Sequence, residues 1–259
     1  MVFLMYDPSS PLLRPAASAD GPPAAQAKAR FAEDRLLDAV IWCEISPGDI
    51  VTEADAMGRF GLTRAAARAG LTRLGYDGWA TPQPRTGWLV LPITGALIGH
   101  VLDARRIAEP ALANVKLDTD SRAEMVQIVS LLQPLKDRAE AGAVTSLRHY
   151  IDRVDGVLLG AMNPFTARHL RKLWHHTARM THFLEDPARG RLFRRSDTSD
   201  LIKAVLAEDG PAICAARLAL IDAQQAFFLQ QLLKSDAPLT PGSGIIGQTN
   251  QTAIHRRET

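Results

Sequence analysis

Residues 51–90 read VTEADAMGRFGLTRAAARAGLTRLGYDGWATPQPRTGWLV, and this stretch decides the fold. Thr52 stands where a side-chain oxygen caps a short helix, with Glu53 and Asp55 in the first turn, where acids complement the helix dipole. Gly61-Leu62 makes a tight turn. A second helix starts at Thr63, which can act as its cap, and carries Arg64 and Arg68 one turn apart on one face, with Arg73 beyond them. From Gly78 to Val90 the chain reads as a hairpin: Trp79 and Trp88 alternate with small or polar residues, as in a half-buried ribbon. Pro82 and Pro84 suit an exposed strand rather than a central one, and Arg85 and Gly87 fall at the tip. A helix, a turn, a helix with a cationic N-terminal half and a basic hairpin make a winged helix-turn-helix. Such a unit offers a helix to the DNA major groove and a hairpin to the flanking minor groove.

Working outward, residues 28–45 place Phe31, Leu36, Leu37, Val40 and Ile41 on one helical stripe, and Ser46-Pro47-Gly48-Asp49 reads as a turn. Residues 1–26, rich in Pro, Ala and Ser, are expected to be a disordered arm, and 27–93 the DNA-binding domain. After the linker Pro92-Ile93-Thr94, helical patterns cover 95–115, 121–140, 143–161, 164–184, 198–207 and 210–234. Asp209-Gly210-Pro211 breaks the last two, with proline suited to a first turn. The fold class is therefore mainly α: an N-terminal winged helix-turn-helix and, over 95–234, an all-α bundle of about six helices. The tail 235–259, rich in Gly, Pro, Thr and Gln, is expected to be disordered.

The formal net charge is +2, so the whole chain is no polycation, but the charge is uneven. Between Gly58 and Arg85 stand Arg59, Arg64, Arg68, Arg73 and Arg85 against the single acid Asp77, a local excess that suits a polyanion. The two cysteines, Cys43 and Cys214, lie far apart in helical patterns and define neither a disulfide framework nor a metal spacing, so a reducing cytoplasm is expected. The first residues, MVFLMYDPSSPLLRP, lack the cationic start of a signal peptide, and without an apolar run of about 18 residues no membrane span is expected.

Pro47 to Val90 resembles the GntR family of bacterial transcription regulators. The resemblance is carried by Pro47-Gly48, Thr52-Glu53, Gly61-Leu62-Thr63-Arg64-Ala65-Ala66-Ala67-Arg68-Ala69-Gly70-Leu71, Leu74, Gly78 and Pro84-Arg85-Thr86-Gly87-Trp88-Leu89-Val90. The family's usual phrase there is Ser-Arg-Thr-Pro-Val-Arg-Glu-Ala-Leu; Ala66 replaces its proline and Ala69-Gly70 its Glu-Ala. The helical half resembles the effector domain of the FadR-like subfamily through Arg105-Arg106-Ile107-Ala108-Glu109, Asn163-Pro164 and Ala204 to Asp209.

The resemblance implies a dimer on double-stranded operator DNA and a small-molecule effector, often an organic acid, in the bundle. Thr52, Thr63, Arg64, Ala65, Arg68, Arg85 and Gly87 are then the expected DNA contacts, and Arg105, Arg106 and Asn163 the expected effector contacts. Arg105 suits a carboxylate clamp or, equally, an ion pair with Glu109 one turn on.

Many members of that family hold a metal with one Asp and three His. Counted from Asn163, those positions fall here on Tyr150, Val154, Thr198 and Leu220, so neither a metal nor another cofactor is expected. Nearby His149, Asp152 and Asp155, on adjoining helix faces, are candidate substitute ligands but read rather as solvated helix residues, and His169, His175, His176 and His182 read as polar-face histidines. No Gly-rich phosphate loop, nucleophile elbow or His-Glu-x-x-His is present, so no catalytic residue is named. The rival readings are an all-α enzyme using the histidine-rich helix 164–184, and a DNA-binding head whose bundle docks a protein and holds no ligand.

Overall fold

In the computed structural model, which describes residues 24–135, 138, 141–186, 190–195 and 198–234, α1 (Ala24–Ile41) buries Ala32, Leu36, Ala39 and Val40 on one stripe. Phe31, expected on that stripe, points outward at 55% exposure, because the neighbouring alanine takes the inward position. Residues 24–26, expected in the arm, belong to this helix; the rest of the arm and the 235–259 tail lie outside the described residues. Cys43, read as helical, follows α1 in a turn with φ +55°.

The first unit runs to Val40 and continues over Glu44–Leu91. Beyond α1 it contains β1 (Ile50–Val51), α2 (Glu53–Phe60), α3 (Arg64–Tyr76), β2 (Ala80–Gln83) and β3 (Gly87–Val90). The strands form an antiparallel sheet in the order β1-β3-β2, with Val51 opposite Trp88 and Ala80 opposite Val90. The sequence reading missed β1, whose two residues carry no periodicity of their own.

Thr52 caps α2 in a reciprocal box: its hydroxyl accepts from the Asp55 amide at 3.1 Å, and the Asp55 carboxylate accepts from the Thr52 amide at 2.9 Å. Gly61 ends α2 at φ +63°, a left-handed position that glycine occupies without strain. The core joins Leu36, Leu71, Leu74, Trp79 and Val90, with Trp88 partly buried against it. Fully burying side chains of this size contributes roughly 1.5–3 kcal/mol each.

Gly70 is where α3 meets α1. A Cβ built there would lie 2.7 Å from the Leu36 Cδ1 and 3.1 Å from the Ala32 carbonyl oxygen. Gly70→Val is therefore expected to destabilise this unit by about 1–3 kcal/mol through overpacking, despite removing a helix glycine. Denaturant unfolding followed by tryptophan fluorescence checks it, and an unchanged midpoint would contradict the contact.

The second unit holds Ile41–Cys43 and Pro92 onward. Its helices are α4 (Gly95–Ala108), α5 (Thr119–Leu132), α6 (Ala141–Gly160), α7 (Pro164–Leu184), α8 (Thr198–Leu206) and α9 (Gly210–Lys234). Two expected helices are shorter, each stopped by a proline that cannot donate to the α ladder. After α4 comes a 3-10 segment, Glu109–Asn114, with Pro110 at its start; after α5 comes Gln133–Leu135, with Pro134 at its centre.

α4 packs on α7 and α9, α5 on α6 and α8, and α8 on α9. The core runs through Leu102, Met125, Ile128, Val154, Leu170, Ile202, Ile221 and Phe228. By length and composition alone α9, at 25 residues, is apolar enough to cross a membrane. In the fold, its Ile213, Ile221 and Phe228 are buried in the bundle core instead.

Candidate functional site

In the first unit α2, α3 and the β2-β3 wing surround an open cleft of about 990 Å³, whose walls include Thr52, Glu53, Arg64, Arg85, Gly87 and Trp88. Thr63 caps α3, its hydroxyl oxygen accepting from the Ala66 amide at 3.3 Å, which leaves the hydroxyl hydrogen for an anion. Arg64, Ala65 and Arg68 follow on exposed positions of the first turns, while Ala66 and Ala67 face the core. Arg85 sits at the wing tip with φ +65°. Gly87 beside it has φ +137°, and a Cβ there would come within 2.7 Å of the Val51 carbonyl oxygen, so the wing closes on β1 only through glycine.

Three of the five arginines already have protein partners. Arg59 donates to the Glu44 carbonyl oxygen, and Arg73 pairs with Asp77 at 2.8 Å. Arg68 meets Glu53 through two bonds, Nε–Oε1 at 2.7 Å and Nη2–Oε2 at 3.3 Å. That hydrogen bond from Arg68 holds the Glu53 carboxyl below its usual range, with Arg64 adding to the field. The sequence placed Glu53 only as a first-turn acid; its partnership with α3 is a tertiary fact. Thr52 lines the cleft, but its hydroxyl is engaged by the Asp55 box.

In the second unit a chain of charged groups is sealed in the bundle. Glu109, fully buried, accepts from Arg105 Nε at 2.5 Å, from Arg217 Nε at 2.6 Å and from Trp174 Nε1 at 2.9 Å. Arg217 also donates to Asp155 at 3.0 Å and lies 4.5 Å over the Trp174 ring; Arg195 grips the other side of Asp155 at 2.8 Å. Arg105 donates further to Thr177 at 3.2 Å and to Gln224. Burial would raise the Glu109 carboxyl, but Arg217 and Arg105 outweigh it and hold it below the usual range; Arg195 and Arg217 do the same for Asp155.

Asp155, read from sequence as solvated, is thus half of an internal ion pair, with its side chain only 16% exposed. Arg217, a lone cation within the apolar pattern of α9, was the available signal for this network.

The three expected effector residues do not converge. Arg105 is 1% exposed in the network. Arg106 reaches Asp222, at 2.9 Å, and Gln225 on a more exposed face. Asn163 is exposed and caps α7, accepting from the Phe165 amide at 3.0 Å.

The four metal positions of the resembled family do not fit a metal: Val154 and Leu220 are apolar core, and Thr198 and Tyr150 offer no imidazole or carboxylate. The substitute Asp155 is committed to two arginines. Among the described residues no three of His, Cys, Asp and Glu group as ligands. On α7, His176 is buried rather than on a polar face, at 8% exposure. Burial pushes its pKa down to about 3 and those of His175 and His182 to about 4, so all three are neutral imidazoles at pH 7.

The arrangement defines a winged helix-turn-helix unit and an all-α bundle with a charged interior. No family model matches the chain, and no curated protein matches it in sequence. Solved structures do share its fold. E. coli McbR/YncC matches with a TM-score of 0.64 at 17% identity, over 79% of this chain and 98% of that one. A GntR transcriptional regulator from Rhodococcus sp. RHA1 matches with a TM-score of 0.55 at 18% identity, over 81% of this chain and 99% of that one. The fold is that of the GntR-type transcription regulators.

Proposed function

We propose that this chain is a ligand-responsive transcription regulator of the GntR type, not an enzyme, which acts in the cytoplasm and binds an inverted-repeat operator as a homodimer. The observation that carries the reading is the convergence of the capped, arginine-bearing start of α3 and the Arg85–Gly87 wing tip around one open cleft. A helix N-terminus with basic side chains, beside a basic hairpin, is the chemistry that docks in a major groove and follows the backbone into the minor one. The likeness in fold to the GntR regulator supports it. In a two-fold dimer the paired heads would meet half-sites about one helical turn apart.

The effector, an organic acid, is assigned to the bundle by the family resemblance; Arg105, Arg217 and Arg195 are already engaged by Glu109 and Asp155, so an acid bound by them would have to displace those carboxylates. It would shift DNA affinity only through unequal affinity for the DNA-competent and DNA-incompetent arrangements. Against the all-α enzyme, burial holds His175, His176 and His182 of α7 neutral, and among the described residues no three of His, Cys, Asp and Glu group as metal ligands.

The test is selection of bound duplexes from a random pool by the purified protein, followed by fluorescence anisotropy at several salt concentrations. The expected result is enrichment of a short inverted repeat, with affinity falling steeply as salt rises. A protein that enriches no sequence and does not bind DNA even at low salt would overturn the proposal.

A further inference from the structure

We propose that Glu53 is a positioning residue for base reading: it fixes the Arg68 guanidinium so that its outer edge is presented to a guanine. The inference rests on the DNA-binding reading above and deepens it.

Glu53 stands in the first turn of α2, whose start is pinned by the Thr52–Asp55 box and does not use the Glu53 side chain. Its carboxylate reaches across to α3 and holds Arg68 side-on, Nε to Oε1 at 2.7 Å and Nη2 to Oε2 at 3.3 Å. A guanidinium gripped along that edge keeps both Nη1 hydrogens and one Nη2 hydrogen on its outer edge. Those donors match the O6 and N7 acceptors of a guanine in the major groove. The Arg68 side chain is 69% exposed and Glu53 31%, so the pair lies at the surface and the free edge is open to a ligand.

Arg68 is a long side chain with many rotamers, and an exposed ion pair adds little to stability. What the pair does supply is order. Without Glu53, Arg68 would have to be fixed when DNA binds, and it could equally fold back onto a phosphate. Glu53 also places a negative charge beside Arg64 on the DNA-facing side, where it opposes indiscriminate phosphate binding. The pair therefore favours sequence preference over general affinity.

The experiment is duplex selection and competition anisotropy with the full-length wild type, Glu53→Ala, Glu53→Gln and Arg68→Ala, with thermal melting of each to confirm the fold. The wild type should prefer guanine at one position of each half-site by roughly tenfold or more. Glu53→Ala should bring that preference to near parity, leave the other positions unchanged, and bind random duplex as well as or better than the wild type. Glu53→Gln, which keeps an acceptor without the charge, should fall between. Arg68→Ala should lose the same position, and the double variant should be no less selective than either single one.

A purely structural role would weaken binding to all sequences equally and leave the base profile intact. An unchanged profile in a folded Glu53→Ala protein overturns the proposal while the DNA-binding reading stands. A wild type without DNA binding overturns both.

Discussion

Glu109→Ala is expected to lower the stability of the helical unit by about 3–5 kcal/mol, because it removes the carboxylate shared by two buried guanidinium groups, leaving Arg105 without a counter-charge and Arg217 with Asp155 alone. Arg105 and Arg217 are each 1% exposed, and each directs its Nε to Glu109. Trp174 would lose its acceptor as well. For a domain of this size the loss corresponds to a fall in melting temperature of roughly 10 °C or more. Glu109→Gln keeps an acceptor but not the charge and should fall between. Helical melting by circular dichroism measures it, and a Glu109→Ala midpoint within about 2 °C of wild type would mean that water or a rearrangement satisfies the arginines.

The sign of the pH dependence follows from the same groups. Glu109 and Asp155 are held below the usual carboxylate range in the folded state. Their contribution is therefore complete above the ordinary carboxylate pKa of about 4 and is lost as pH falls below it through the depressed folded values. Glu109→Gln should flatten that acid limb.

The winged head was legible because its signals are local. Thr52, Gly61 and Thr63 each act within a few residues of themselves, and caps and turns are written at that range. The boundaries of α7 and α9 were legible for the same reason, since Asn163-Pro164 and Gly210-Pro211 mark their starts. The two charged pairings were less so. Arg105–Glu109, at one-turn spacing, could be named as an alternative to a ligand clamp, but Arg217 joins the same carboxylate from more than a hundred residues away. Glu53 and Arg68 are 15 residues apart on different helices, so their meeting depends on how α2 crosses α3. Periodicity reports which face a residue takes, and does not report what it meets there.

Within α3, the recognition helix of the proposed reading, Arg64→Ala and Arg68→Ala should each weaken binding to a selected duplex by about 1–3 kcal/mol if they reach base edges, with the fold intact. The two should differ in kind. Arg64 is exposed in the first turn of α3 and lines the cleft directly, so its removal takes away one cation and one set of donors. Arg68→Ala also leaves the Glu53 carboxylate without its partner on the DNA-facing side, so a repulsion is added to the lost contact. Arg68→Ala should therefore be the weaker binder of the two, and adding Glu53→Ala to it should recover part of the loss. A cation that touches only phosphate behaves otherwise: its removal weakens all sequences alike and lowers the salt slope by about one counterion. Anisotropy titrations of both single variants and the Glu53→Ala/Arg68→Ala double variant, on selected and scrambled duplexes at three salt concentrations, separate these cases. Wild-type affinity in both single variants would place the DNA-reading surface away from α3. Failure of the double variant to recover affinity would show that the Glu53 charge is not felt by the bound duplex.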